Sequence, residues 1–378
     1  MKVALIPLAY DMHNFGGSLQ FYALQKAIID MGIDCYILQV NDDRVLCESN
    51  DLKLWKRIAW YIYERLNKYK SKKEYLYRVN TLCERRKKFS LFKQKYYVET
   101  VNINDIDLYS FDAVISGSDQ IWNPMFARRR CFLEFVPDDI NKIIYAASMG
   151  CESMTDYQKS CFKPLVERID HISVREKSAK RILDEFIEGC DISVQVDPTL
   201  LLLKNDWENI AVDVSNIVGN KNYIFTYFLG NYSKQKDIIS DFAKKHNLII
   251  VNIPFASGET IDNENFGDIQ YVNASPDEFI GFIKNAEYIF TDSFHGCVFS
   301  IIFEKEFFAY KRNNSSKMMG RIETLLENFN ITGRVIDTNS PLENIGKIDY
   351  SKTESIQFEL RRGSLKFIKE SLENEKTG

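Results

Sequence analysis

The sequence predicts an α/β protein made of two doubly wound, Rossmann-like domains that face a cleft. Two observations support this fold class. Short apolar runs alternate with stretches of helical periodicity along most of the 378 residues, which is typical of parallel βαβ units. The pattern then restarts near residue 205, so the chain contains two such units. With 45% hydrophobic residues, the chain can bury more than one core.

The first unit begins with a strand at residues 3–9 and a loop at residues 10–17. Ser18 is placed to cap the helix that follows, and Gly32 is placed to end it. The next strands of this unit are predicted at residues 35–40, 113–116, 143–148, 172–175 and 193–196, with helices between them.

The second unit contains one strong helix signal. Residues 275–278 read Ser-Pro-Asp-Glu, a capping box with proline at the first helical position, so a helix starts there and runs to about residue 285. Strands are predicted at residues 223–229, 248–254, 288–292, 307–311 and 334–337. Further helices are predicted at residues 234–246, 295–303, 317–329 and 353–373.

These elements divide the chain into domains. We assign residues 1–204 to an N-terminal Rossmann-like domain, residues 205–345 to a C-terminal one and residues 346–378 to a C-terminal helix. Because parallel α/β sheets bind ligands at the carboxyl ends of their strands, we expect the functional residues to face the cleft between the domains.

A basic helical insertion at about residues 50–98 interrupts the first domain. Residues 52–97 hold 15 Lys or Arg and 3 acidic residues, a local charge of +12, so the rest of the chain carries −16 within the net −4. Trp55, Ile58, Ile62 and Leu66 keep the spacing of an amphipathic helix, and a second helix is predicted at residues 75–97. Three interpretations stay open: a solvated helical excursion, a helix that contacts an anionic membrane surface, or a site for a phosphate-rich partner. No nucleic-acid motif accompanies the charge.

Composition excludes several classes of protein. No signal-peptide pattern precedes the first strand and no apolar run reaches membrane-spanning length, so we expect a cytoplasmic protein, peripheral at the inner face of the membrane if the insertion binds lipid. The eight cysteines form no CxxC pair, and none of the four histidines has the spacing of a metal pair, so we expect no metal.

Two polar clusters follow strands of the first domain. Asn14, Gly16 and Gly17 are suited to a close approach by an anion at a helix N-terminus, although two glycines in such a turn are often only turn residues. The cluster is not GxGxxG, so no dinucleotide cofactor is expected. Asp119, Gln120 and Trp122 are suited to a polyol held by hydrogen bonds and ring stacking. Alternatively, the aspartate caps a helix and the tryptophan packs in the core.

Two more clusters carry charged residues. Arg175 follows a predicted strand and can grip a phosphate or carboxylate in a bidentate manner, unless Glu176 merely neutralises it. His295 opens a predicted helix with Asp292 nearby as an orienting partner, which favours a proton shuttle over a structural histidine.

At these residues the sequence resembles the polysaccharide pyruvyl transferase family. Five stretches match in family order between about residues 2 and 326: the opening strand with Asn14-Phe15-Gly16-Gly17 and Leu19 to Gln25, Ser116 to Asn123, Ser173-Val174-Arg175-Glu176, Val196-Asp197-Pro198-Thr199, and Thr291 to Gly296. The resemblance implies a fold like that of GT-B glycosyltransferases. It also implies transfer of pyruvate from phosphoenolpyruvate, the co-substrate, to two hydroxyls of one sugar, which leaves a cyclic ketal and free phosphate without any cofactor.

The resemblance also implies roles for individual residues. Arg175 would hold the donor and His295 would be the general acid, with Asp292 as the second catalytic residue. Some family members have an arginine where this chain has Ser293, so a donor contact must come from elsewhere. We choose Arg321 over Lys311 or Arg312, the alternative being that it is a surface cation. The remaining assignments are Ser293, Phe294 and Gly296 on the donor side and Asn14, Gly16, Gly17, Asp119, Gln120 and Trp122 on the acceptor side, in the N-terminal domain.

The expected activity is therefore ketal formation on a precursor of a bacterial surface polysaccharide, such as a capsule or exopolysaccharide. The acceptor would be a hexose with a 4,6- or 3,4-diol, linked to a lipid or a nucleotide. Two alternatives remain: a GT-B glycosyltransferase that uses a nucleotide sugar, and a non-catalytic glycan-binding protein with the same fold.

Overall fold

The computed structural model describes residues 1–8, 13–42, 44–47, 72–230, 232–257, 260–262, 265–311, 320–336, 342 and 345–373. The helix predicted at residues 55–69 and the alternative donor residue Arg312 lie outside these ranges. The second predicted helix of the basic insertion is present, as Lys72–Tyr96.

The first sheet contains seven parallel strands in the order β3-β2-β1-β4-β5-β6-β7. Val3 pairs with Cys35 on one side and with Ala113 on the other, so the order reverses between β1 and β4, as in a Rossmann sheet. The strands are β1 Lys2–Ile6, β2 Asp34–Gln39, β3 Thr100–Asn102, β4 Ala113–Gly117, β5 Asn141–Ala147, β6 His171–Val174 and β7 Ile192–Val194.

The second sheet contains six parallel strands in the order β12-β9-β8-β13-β14-β15, and a two-stranded antiparallel hairpin, β10-β11, accompanies it. The predicted fold class, two doubly wound α/β units, is confirmed by the two sheets. The strands are β8 Tyr223–Tyr227, β9 Ile249–Asn252, β10 Phe255–Ser257, β11 Thr260–Asp262, β12 Ile269–Gln270, β13 Tyr288–Thr291, β14 Glu306–Tyr310 and β15 Val335–Ile336.

Eleven α-helices are described, and they alternate with the strands except between β3 and β4, between β4 and β5, and from β9 to β12. Residues 118–140, between β4 and β5, contain turns and one 3-10 helix at Arg129–Phe132. Other 3-10 helices lie at Ile103–Asp105, Leu108–Ser110 and Pro198–Leu201. The α-helices are α1 Phe15–Asp30, α2 Lys72–Tyr96, α3 Asp156–Val166, α4 Lys177–Asp184, α5 Lys204–Ile210, α6 Ser215–Val218, α7 Gln235–His246, α8 Pro276–Asn285, α9 Phe294–Ile302, α10 Gly320–Asn328 and α11 Thr353–Glu373. None of these described helices combines the length and the hydropathy that crossing a membrane requires.

The start of α1 differs from the prediction. Asn14, not Ser18, is the N-cap, and its side chain accepts a hydrogen bond from the backbone N–H of Gly17. Asparagine and serine are both strong caps, so the sequence pattern alone could not choose between them. By contrast, the capping box of Ser275 and Glu278 and the helix limits at residues 353 and 373 are as predicted.

The two sheets share one continuous apolar core. Phe15, at the start of α1, stacks on Phe279 of α8 with ring centroids 4.5 Å apart. On the other face of Phe15 lies the buried guanidinium of Arg85 from α2, 4.4 Å from the ring centroid. Burial lowers the pKa of Arg85 to about 10. Aromatic stacking therefore joins the first helix of one unit to a helix of the other.

Two further contacts tie the units together. Lys88 of α2 forms an ion pair of 2.8 Å with Glu278 of α8. The C-terminal helix α11 returns to the first sheet, where Asn141 donates to the carbonyl of Ser371 (2.7 Å). The N–H of Val196 donates to the hydroxyl of Ser364 (3.3 Å). The helices α2 and α11 thus cross between the units. The domain limits at residues 204 and 345 remain predictions.

Candidate active site

His295 lies in the first turn of α9, directly after β13. Ser293 is the N-cap of this helix, and its hydroxyl accepts a hydrogen bond from the N–H of Gly296 (3.3 Å). A Cβ on Gly296 would lie 2.6 Å from Oγ1 of Thr291, so only glycine lets α9 start this close to β13. The imidazole is thereby held at the carboxyl end of the second sheet, 7% exposed.

Asp197 is the carboxylate beside this imidazole. It follows β7 and caps the 3-10 helix at Pro198–Leu201, where its Oδ1 accepts hydrogen bonds from the N–H (3.0 Å) and the hydroxyl (2.6 Å) of Thr199. This leaves Oδ2 to face Nε2 of His295 at 3.5 Å and to accept a hydrogen bond from Nη1 of Arg175. The two carboxylate oxygens of Asp197 therefore have different partners: Oδ1 bonds to Thr199, and Oδ2 contacts His295 and Arg175.

The electrostatics of Asp197 follow from these neighbours. Burial alone would raise the pKa of its carboxyl, but His295 and Arg175 outweigh burial and hold the pKa well below its ordinary value. Asp197 is therefore an anion at neutral pH, although its side chain is fully buried.

Arg175, at the carboxyl end of β6, keeps part of its hydrogen-bonding capacity unused. Nη1 bonds to Asp197, Nη2 lies 3.7 Å from Asp119 and Nε lies 4.0 Å from Glu176. Nη2 and Nε are buried and have no hydrogen-bond partner among the described residues. Burial lowers the pKa of this guanidinium, but the surrounding carboxylates outweigh that effect and raise it, so Arg175 stays cationic. Two buried N–H-bearing atoms are thus left for an anionic ligand.

Glu176 does not merely neutralise Arg175. Its Oε1 accepts hydrogen bonds from the hydroxyl of Ser148 and from the N–H groups of Met149 and Gly150, at 2.8 to 3.1 Å. Its task is to hold the loop that follows β5. Glu176 therefore has a structural role instead of simply neutralising Arg175. The direct partner of Arg175 is Asp197.

The ring of Phe294 lies near two guanidinium groups, so the cluster contains a second cation. The ring lies 4.4 Å from the guanidinium carbon of Arg175 and 5.9 Å from that of Arg321, which comes from the first turn of α10. Arg321 is 8% exposed, so it is not the surface cation of the alternative interpretation. The other described candidate, Lys311, is exposed at the end of β14.

Gly16 brings the first unit against the imidazole. A Cβ on Gly16 would lie 2.0 Å from Nδ1 of His295, so the backbone of α1 itself forms one wall of the site. Asn14 supplies the cap of α1, and Gly17 donates to that cap (3.3 Å). The site is therefore assembled from the starts of two helices, α1 and α9, and from the ends of β6 and β7.

Two residues predicted from the sequence have other roles. The carboxylate of Asp292 accepts hydrogen bonds from the N–H groups of Leu229 (2.7 Å) and Gly230 (2.9 Å), so it anchors the loop after β8. The carboxylate that orients His295 is Asp197, which sequence reasoning quoted only as part of a motif. The signal that could have identified it is an aspartate followed by Pro-Thr, three residues after the end of β7.

Trp122 is also corrected by the structure. Its indole is fully buried, stacks on Phe132 at 5.3 Å and donates to the carbonyl of Cys131 (3.4 Å), so it cannot present a face to a sugar. Asp119, in contrast, lies beside Arg175 within the site. Gln120 is half-buried, and its Oε1 accepts a hydrogen bond from Asn123 (2.7 Å).

Comparison with known proteins gives one family match. Residues 14–314 match the sequence model of the family described as polysaccharide pyruvyl transferase. No curated protein shows significant sequence similarity to the chain.

The solved structures that match this chain are distant from it in sequence. A UDP-N-acetylglucosamine 2-epimerase from Rickettsia bellii has 10% identity and a TM-score of 0.47, with 98% of this chain and 96% of that chain covered. The UDP-GlcNAc 2-epimerase from Neisseria meningitidis, bound to UDP-GlcNAc, has 12% identity and a TM-score of 0.46, with 98% and 99% covered. A heptosyltransferase from E. coli with ADP has 11% identity and a TM-score of 0.39, with 95% and 100% covered. The two parallel sheets of this chain establish its α/β architecture independently.

The contact between Gly16 and His295 is testable by Gly16→Ala. We expect the added methyl group to displace the imidazole, because it would overlap Nδ1. The NMR resonances of the His295 ring should shift and the melting temperature should fall. Gly363→Ala in α11 is the matched control, since a Cβ there meets nothing within 4 Å and alanine favours a helix by up to about 1 kcal/mol. Unchanged His295 resonances in Gly16→Ala would contradict this contact.

Asp197→Asn should be strongly destabilising, because it leaves Arg175 buried without its direct partner. We expect a loss of about 3 kcal/mol in the free energy of unfolding at pH 7, measured by urea denaturation. Since the native pKa of Asp197 is lowered, this contribution is complete above the ordinary carboxyl pKa of about 4 and declines below it. The difference from wild type should therefore shrink below about pH 4. The exposed Asp241→Asn should change stability by less than about 0.5 kcal/mol. A difference that grows on acidification would refute the ion pair.

Proposed function

Because the chain belongs to the polysaccharide pyruvyl transferase family, we propose that it transfers pyruvate from phosphoenolpyruvate to a sugar of a bacterial surface polysaccharide precursor. The observation that carries this proposal is the buried Arg175, whose Nε and Nη2 have no hydrogen-bond partner among the described residues beside the imidazole of His295. Buried donors of this kind call for an anionic ligand, since leaving them unsatisfied costs about 1–3 kcal/mol each.

Phosphoenolpyruvate meets this requirement with a carboxylate and a phosphate. Arg175 would bind one of these groups through its two unused nitrogen atoms, and Arg321, on the same aromatic ring, supplies a second cation. The N-terminus of α9 adds the positive end of its dipole. The contact that some family members make with an arginine at the position of Ser293 would therefore be made by Arg321.

His295 would supply the proton. Its Nδ1 edge is covered by Gly16, so the acid would be Nε2–H, which faces Oδ2 of Asp197 at 3.5 Å. Donation to C3 of the enol turns the methylene into a methyl group and leaves an oxocarbenium-like centre at C2. Asp197 stabilises the imidazolium before this step and holds its orientation.

Two hydroxyl groups of one sugar complete the reaction. The first adds to C2 and releases its proton, phosphate departs, and the second hydroxyl adds to the same carbon and closes the ring. Of the two hydroxyl protons, one restores the acid and the other leaves with phosphate. Asp119, beside Arg175, is placed to accept from a sugar hydroxyl. We propose a hexose diol, linked to a lipid or a nucleotide, as the acceptor.

The test uses purified protein, phosphoenolpyruvate and a panel of lipid-linked and nucleotide-linked galactosides. We expect release of phosphate together with a product that carries the added mass of a pyruvate ketal. His295→Gln should lower kcat by about 100-fold or more, while phosphoenolpyruvate binding changes by less than about twofold.

The exposed His246→Gln is the matched control and should behave as wild type. Wild-type turnover in His295→Gln would refute the role of that residue. Stabilisation by UDP-sugars without any by phosphoenolpyruvate would favour a glycosyltransferase instead. Binding of a glycan without phosphoenolpyruvate would favour a non-catalytic protein.

We also propose that the basic insertion brings the protein to an anionic membrane, where a lipid-linked acceptor would be found. Support comes from its charge of +12 and from α2, which anchors its carboxyl-terminal half to both units through Arg85 and Lys88. Each Lys or Arg near an anionic surface contributes about 1 kcal/mol to binding.

Replacing the six Lys and Arg of residues 53–70 by Gln spares the anchoring residues of α2. We expect wild-type protein to sediment with phosphatidylglycerol vesicles at low salt and the variant to bind at least about tenfold more weakly. Neutral phosphatidylcholine vesicles are the control. If wild-type protein does not sediment with the anionic vesicles, the membrane proposal fails and the interpretation as a solvated excursion is favoured.

A further inference from the structure

A cavity of about 420 Å³ lies beside the first turn of α1, outside the charged cluster. Its walls are α1, the β1-β2-β3 side of the first sheet and the carboxyl-terminal end of α2. This volume falls in the usual range of small-molecule pockets, about 300–1,000 Å³. No step of the proposed reaction uses the cavity.

Polar side chains on the cavity wall have unused hydrogen-bonding capacity. Gln39, at the end of β2, and Glu99, just before β3, line the cavity. Neither side chain makes a hydrogen bond or an ion pair with a described residue. An amide and a carboxylate together can donate to and accept from several hydroxyl groups.

Aromatic side chains supply an apolar wall of the same cavity. The rings of Phe21 and Tyr97 lie 5.5 Å apart, and the hydroxyl of Tyr97 donates to the carbonyl of Ser18 (2.9 Å), which fixes the ring in place. An apolar wall next to amide and carboxylate groups is suited to a sugar, whose ring has an apolar C–H face and a polar rim of hydroxyls.

The charge of the lining favours a neutral ligand. Among the described residues of the wall, the charged ones are Lys93 and Glu99, whose charges cancel, and none is an arginine. A nucleoside diphosphate or a phosphate group would require a surplus of cations, which the described lining of the cavity lacks.

The cavity adjoins the reaction centre through consecutive residues of α1. Gly16 touches the imidazole of His295, and Gly17 lines the cavity. Their Cα atoms are separated by one peptide unit, about 3.8 Å. A chain of sugars that passes the start of α1 could therefore place one unit in the cavity and the next unit at His295.

We propose that this cavity is the subsite for the acceptor sugar next to the one that receives pyruvate. The proposal rests on the proposed function, because the reacting sugar is taken to lie at His295. Binding the neighbouring unit would orient the diol for attack, since binding energy from a non-reacting part of a substrate is used to position the reacting part.

The test measures saccharide binding without phosphoenolpyruvate. Ligand-observed NMR titrations would use lactose, cellobiose and maltose with the corresponding monosaccharides. We expect at least one disaccharide to bind better than its monosaccharides. Gln39→Leu and Glu99→Gln should each weaken that binding about fivefold, the effect of one lost hydrogen bond. Gln39 is half-buried and Glu99 is exposed, so both variants should fold.

The matched control is Glu188→Gln, an exposed glutamate between α4 and β7 at the opposite edge of the first sheet. It should bind the disaccharide as wild type does. The proposal is overturned if no saccharide binds, if both cavity variants bind with wild-type affinity, or if UDP displaces the disaccharide.

A parallel titration with phosphoenolpyruvate separates the two proposals. If phosphoenolpyruvate binds and the cavity variants leave disaccharide binding unchanged, only the subsite is refuted. If phosphoenolpyruvate does not bind to wild-type protein, the proposed function fails, and the saccharide titration still shows whether the cavity holds sugar.

Discussion

The structure depends on one buried ionic contact, in which Asp197 lies between Arg175 and His295. A carboxylate and a guanidinium that are shielded from water must compensate each other, because an unpaired buried charge is very costly. The ends of β6 and β7 must therefore meet the start of α9, which belongs to the other sheet. The same contact keeps the Asp197 carboxylate and the Arg175 guanidinium charged, so it contributes both to the assembly of the two units and to the electrostatics of the site.

Close backbone contacts make this arrangement possible. Gly16 allows α1 to touch the imidazole, and Gly296 allows α9 to begin against β13. Phe15 and Phe279 stack on each other and form an apolar part of the contact between the two units. The guanidinium groups of Arg175 and Arg321 lie near the ring of Phe294, and a cavity with Lys93 and Glu99 in its wall lies beside the first turn of α1.

Much of the fold could be predicted because it depends on local patterns. Alternation of apolar runs predicted six of the seven strands of the first sheet and five of the six of the second, missing the short edge strands β3 and β12. The capping box at Ser275 predicted the start of α8. Predictions were wrong where two residues of the chain could fill the same local role, either as a helix cap or as an aspartate after a strand. Asn14 competes with Ser18 as a cap, and both Asp292 and Asp197 follow strands with polar residues after them. For Trp122, the local pattern could not show that Phe132, ten residues later, covers the indole.

The sequence alone determined the two α/β units, their helix signals, the clusters after the strands and the family resemblance. Local spacing and residue chemistry are enough for these features, since each depends on residues close together in the chain. Only the tertiary structure decided which clusters meet. Asp197 and His295 are far apart in sequence, and so are Gly17 and Glu99 in the cavity wall. Their contacts come from the way two sheets and a crossing helix pack, which no local pattern encodes.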